Sequence, residues 1–144
     1  MKIRCIRTKV IVFFFVVVLL NSSFTFLVPN GNPEKWLKGT WQGIGVQVDS
    51  PTQVHSWSIV FYANPEKNSY TVQYPSIPCK GTWKLINIDK NKAEFIETVE
   101  EKDKCYDGGY IIVTYVNKKH ISFSWFREKG SKVMAYCTLV KIDN

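Results

Sequence analysis

Residues 69–88 read SYTVQYPSIPCKGTWKLINI. Tyr70, Val72 and Tyr74 alternate with Ser69, Thr71 and Gln73, the period of two that puts one set of side chains on each face of a β-strand. The segment PSIPCKG that follows carries two prolines and a glycine and reads as a turn. After it, residues 82–88 resume the alternation, with Trp83 and Leu85 on one face. Two strands joined by a tight connection form an antiparallel pair, and this pair sets the pattern for the rest of the chain.

Working outward, segments 40–48, 56–63, 93–101, 110–116, 120–127 and 132–142 are equally rich in β-branched and aromatic residues, and the turn-forming stretches DSPTQ, NPEKN, DKNK, DKCYDGG, NKK and EKGS separate the strands. No stretch of helical periodicity is long enough to make a crossover helix. The expected fold is therefore all-β, an eight-stranded antiparallel up-and-down barrel, because closure removes exposed edges. A two-sheet sandwich is the alternative. Strand parity places Trp57, Ile59 and Phe61 on one face, and likewise Ala93, Phe95 and Val99, and Ile121, Phe123 and Trp125. The interior should be aromatic. The tetrapeptide KGTW occurs twice, at 38–41 and 80–83, but the residues after the two copies differ, so it reads as one strand-starting device used twice and not as a duplicated half-barrel.

The chain of 144 residues supports one domain. Its first 28 residues look like an export segment: Lys2, Arg4, Arg7 and Lys9 precede an unbroken apolar run from Val10 to Leu20, and Asn21, Ser22 and Ser23 follow. A retained anchor is the alternative, since FTFLV extends the apolar stretch towards a bilayer-spanning length. The expected organisation is a signal segment at 1–28, a linker at 29–38 with one short helical turn, and the barrel at 39–144. The formal net charge of +7 falls to +3 once the four basic residues of the export segment are set aside. No basic stripe with interleaved aromatics remains, so a nucleic-acid partner is not expected.

Export puts the cysteines in an oxidising compartment, where a pair should bridge. Cys79 and Cys105 both sit beside turns, whereas Cys137 lies in the apolar run VMAYCTLV; the first two are paired and the third is read as a small buried hydrophobe. No cysteine or histidine spacing suits zinc, so neither a metal nor a cofactor is expected.

The G-x-W of Gly39 to Trp41, opening the first strand, resembles the signature of lipocalins. That resemblance implies a tryptophan plugging the closed end of the barrel with an arginine laid against it, and Arg127 is the one arginine beyond the export segment. A second resemblance covers most of residues 39–140. Tyr74, Pro75, Ser76, Cys79 and Gly81 match a Y-P-S-x-x-C-x-G turn, Phe95 and Glu97 an F-x-E strand, and Cys105, Asp107 and Gly108 a C-x-D-G turn. These motifs are similar to those of a small lipocalin-like extracytoplasmic module of bacteria, found free or on the outside of membrane signalling kinases. The resemblance implies a secreted sensing or binding barrel and supports the Cys79 to Cys105 bridge.

Among residues that could carry chemistry, Glu97 stands out: its parity puts a carboxylate on the apolar side of its strand, where it must be paired, hydrogen-bonded or protonated. Arg127 shares the parity of Trp125, so an internal Glu97–Arg127 pair is expected; a Glu97 clamp on the nearby turn backbone, or a Glu97 that orients the polar group of a ligand, are the other readings. Glu94, three residues away, faces the opposite side, so the two cannot form a catalytic dyad. Gly43 and Gly45 share the parity of Trp41 and either free interior volume or bend the strand. Trp57, Tyr70, Tyr74 and Trp125 would line a pocket for a small apolar or aromatic molecule, or simply fill the core. Enzyme signatures are missing. The functional expectation is a secreted or envelope, non-enzymatic binding barrel. A secreted protein-binding or inhibitor module, presenting the turns stapled by the bridge, and a structural envelope protein are the alternatives.

Overall fold

The computed structural model describes residues 33–50 and 52–142, and the expected signal segment at 1–28 lies outside them. Eight strands run in chain order: β1 Gly39–Ser50, β2 Gln53–Asn64, β3 Ser69–Tyr74, β4 Cys79–Ile88, β5 Lys92–Val99, β6 Tyr110–Asn117, β7 His120–Phe126 and β8 Val133–Ile142. Each pairs antiparallel with its neighbour in sequence, and β8 returns to β1, so the sheet closes into an up-and-down barrel. The expected fold is observed. Closure resolves the choice against a sandwich and leaves no free edge.

Parity predicts the two faces well. Ile59, Phe61, Val72, Phe95, Val113, Ile121, Phe123 and Leu139 are all buried. Inside, Phe61 stacks on Trp83 with ring centroids 4.2 Å apart, Trp83 stacks on Phe123 at 5.5 Å, and Phe95 meets Tyr70 edge-on at 5.2 Å. These rings fill the middle of the barrel.

One end is sealed. A short 3-10 turn at Pro33–Trp36 leads into Leu37, which is fully buried, and the Trp41 indole donates to the Leu37 carbonyl at 2.8 Å. The last part of the expected linker thus belongs to the closed end. Trp41 is fully buried at this end, and Arg127 is not the cation laid on it. Trp41 is paired across the β1–β8 closure with Lys141, whose ammonium lies 5.1 Å from the ring centroid. Gly39 takes φ +132°, and a β-carbon there would come within 2.6 Å of the Lys141 side chain. The lysine end could shift aside, but that φ is a conformation side chains rarely adopt, so the backbone favours glycine here.

The interior glycines do not make space, contrary to one of the readings above. A β-carbon on Gly45 would meet the Trp57 indole at 2.6 Å, and one on Gly43 the Thr138 carbonyl at 2.6 Å. Trp57 occupies the volume released by Gly45, and Gly43 lets β8 lie close to β1.

Cys79 and Cys105 are bridged, with Cα atoms 6.5 Å apart, and Cys137 is free and half-buried against the core. Burial pushes the Cys137 thiol up to about 12, so it behaves as the expected hydrophobe. The bridge points to an oxidising, non-cytoplasmic compartment. It closes a loop of 26 residues, so replacing both cysteines by serine should lower the unfolding free energy by about 3.5 kcal/mol, read as a fall in denaturant midpoint with a steeper slope as the unfolded chain is released.

Candidate functional site

At the end opposite Trp41 the barrel opens into a cup of about 240 Å³. Its walls come from the ends of β1, β3, β5 and β7 and from the starts of β2 and β8, together with the turns at 75–78 and 100–109. Trp57, Tyr74, Phe123 and Trp125 supply aromatic surface, and Glu97 lies among them. The Trp57 ring stands nearly perpendicular to both Tyr74 and Phe123, at centroid separations of 5.3 and 5.9 Å.

Glu97 is 3% exposed. Its Oε1 accepts a short hydrogen bond from the Tyr74 hydroxyl and another from the Trp83 indole N–H at 3.0 Å; its Oε2 accepts from the Trp125 indole N–H at 3.1 Å. Donors from β3, β4 and β7 therefore converge on one carboxylate of β5. Burial raises the carboxyl pKa above its ordinary value, the three hydrogen bonds oppose that rise, and the Asp107 charge adds a little to it. Burial and the adjacent carboxylate also push the Tyr74 phenol well above its usual range, so Tyr74 stays a donor.

The turn at 100–109 sets this geometry. Gly108 sits at φ +81° and donates its N–H to the Glu97 carbonyl at 3.0 Å, and the Glu97 N–H donates to the Gly109 carbonyl at 2.9 Å. Asp107 accepts from the Val99 N–H at 3.0 Å and pairs with Lys102 at 2.7 Å. Gly109 matters for a different reason: a β-carbon there would lie 2.1 Å from the Trp125 Nε1. Only a bare backbone lets that indole reach Glu97. Across the barrel, Ser58 and Ser76 exchange backbone-to-hydroxyl bonds at 2.7 and 3.0 Å and hold the first turn over the cup.

Of the expected site residues, Trp57, Tyr74, Glu97, Trp125 and Arg127 line the cup. Tyr70 does not; it packs on Phe95 lower in the barrel. The expected Glu97–Arg127 pair is not formed. Arg127 follows the end of β7 on the cup side, as its parity implies, but its guanidinium lies 5.3 Å from the Tyr106 ring centroid instead. Nor does the Glu97 side chain clamp the turn backbone; its main chain does. Trp83 was legible as an inward residue, but its role as a donor to Glu97 was not.

Glu94 is the second buried carboxylate. On the outer face of β5 it is covered by Lys92, Lys129 and the Tyr110 hydroxyl, with Lys92 Nζ at 2.6 Å and Lys129 Nζ at 3.3 Å. The Lys92 hydrogen bond, then that of Tyr110, holds its pKa down to about 2.

Two expectations follow. Glu94 is depressed in the fold from 4.5, so its stabilisation is complete above that value and is lost as pH falls through about 2; Glu94→Gln should flatten the acid limb of a plot of denaturant midpoint against pH. Gly109→Ala should cost about 1–3 kcal/mol by overpacking and should change the near-UV circular dichroism as Trp125 moves; an unchanged spectrum and midpoint would contradict the close approach.

Among solved structures the chain is similar to Treponema pallidum pallilysin, with a TM-score of 0.44 and 11% identity, covering 93% of this chain and 99% of that one. No protein-family model matches the chain, and no curated protein matches it.

Proposed function

We propose that this protein is a secreted, non-enzymatic, lipocalin-like binding barrel that takes a small molecule with an apolar or aromatic body into the cup, where Glu97 orients its polar group. The observation that carries this reading is the carboxylate itself: a buried acid at the bottom of an open cup, surrounded by four aromatic rings and fixed by three donors. Pre-formed pockets of mostly apolar lining with few, well-placed polar groups are the usual form of ligand sites, and the volume is below the usual range, which suits a small ligand. Binding needs no proton transfer and no cofactor here. Export is supported by the charged, apolar and polar order of the first 28 residues and by the disulfide.

A second reading, a protein-binding module, is favoured by the rim. Ile77 and Tyr106 are 39% and 48% exposed beside the bridged turns, a rigid apolar edge with little ordering cost.

Native mass spectrometry of protein purified without denaturation should reveal a retained small molecule. Ala135, buried at the cup wall, offers the control: Ala135→Phe should fill the space and abolish the added mass. Unliganded mass alone, together with no thermal shift from a panel of small aromatic compounds, would sink the small-molecule reading in favour of the rim.

A further inference from the structure

The two buried carboxylates of β5 stand three residues apart and are treated in opposite ways. Glu94, outside, is neutralised by the chain: two lysines and a phenol close over it. Glu97, inside, receives only neutral donors. None of the ion pairs among the described residues reaches it. Of the two cations that line the cup, Arg127 lies against the Tyr106 ring and Lys104 is exposed to solvent, and none of those ion pairs joins either to Glu97.

The donor set nevertheless suits the ionised form. An indole N–H can only donate, so neither Trp83 nor Trp125 can accept a proton from a neutral carboxyl, and the Tyr74 hydroxyl is already donating. An ionised carboxylate offers about four acceptor positions, and three are used. The unused capacity lies on Oε2, which takes a single donor. A buried negative charge without a counter-charge is costly, and a cation entering the cup would remove that cost. The walls are suited to one, because Trp57, Tyr74, Phe123 and Trp125 all line the cup, and the face of an aromatic ring attracts a cation that meets it.

Building on the proposed binding role, we infer that the ligand's polar group is a cationic nitrogen: the cup takes a small amine with an aromatic or apolar body, its ammonium against Glu97 Oε2. A carboxylate ligand would be repelled from the same position. A neutral hydroxyl would form a hydrogen bond there but leave the charge uncompensated.

Three probes with one body separate these cases: 2-phenylethylamine, 2-phenylethanol and phenylacetate, titrated calorimetrically into the oxidised protein at neutral pH. The amine should bind at least about tenfold more tightly than the alcohol, and phenylacetate should bind least. Glu97→Gln, with near-UV circular dichroism to verify its fold, should bring amine and alcohol to equal affinity. If the alcohol binds the native protein as tightly as the amine, the amine inference fails while the small-molecule reading stands, and this comparison needs no variant. Selectivity for the amine that survives in a folded Glu97→Gln protein would remove Glu97 from the role. Absence of binding by all three overturns both readings.

Discussion

Three side-chain donors from three strands meet on the carboxylate of Glu97, and much of the open half of the barrel is arranged to permit it. Tyr74 ends β3, Trp83 lies in the middle of β4 and Trp125 near the end of β7, so the carboxylate ties together strands that are not all neighbours in the sheet. Such a buried network rigidifies a core only when every member is satisfied. Here each donor is used, and the main chain of Glu97 is itself held by Gly108 and Gly109. The disulfide fixes the start of β4 to the turn that carries those glycines. Bridge, turn and carboxylate therefore act as one unit.

Close approach explains the glycines better than flexibility does. A β-carbon on Gly81 would come within 2.2 Å of the Thr98 carbonyl, one on Gly45 would strike Trp57 and one on Gly109 would strike Trp125. Two of these three give way to an indole ring, so large aromatics are accommodated by removing side chains opposite them. The repeated KGTW fits the same logic in part. Gly39 and Gly81 both precede, by two residues, a tryptophan buried in the core, but the first admits Lys141 over the plug and the second admits the β5 backbone. The local device is shared; what each glycine makes room for differs.

The fold was legible because alternation, turn residues and the absence of helical periodicity all gave the same answer, and parity alone put Glu97 inside. Parity says which face a side chain occupies, but not its height along the barrel axis. Tyr70 and Tyr74 share a face of β3, yet one meets Phe95 while the other reaches the cup. Arg127 was placed on the cup side by counting through Trp125, but no count along a strand shows that the Tyr106 ring of a distant turn takes its guanidinium. Lys141 was invisible as the plug's cation because its partnership with Trp41 exists only after the first and last strands pair. Outward parity likewise gave no hint that Glu94 would be buried. Its cover includes Lys129, from the connection between β7 and β8, which no local pattern places there.

The two ends of the barrel treat their polar groups differently. At the closed end an indole finds a carbonyl and a cation finds a ring. On the outside of β5 the chain supplies both lysines that Glu94 needs, and the carboxyl is driven to about 2. Inside the cup the same strand carries a carboxylate whose burial drives its pKa the other way, with neutral donors only partly offsetting it. The fold evidently has the means to neutralise a buried acid, since it does so one turn of the pleat away. A hydrophobe at Glu97 would remove the buried charge but leave the Tyr74, Trp83 and Trp125 donors without their acceptor. On the proposed binding role, that charge is a cost borne by the free barrel and relieved by a cation entering the cup.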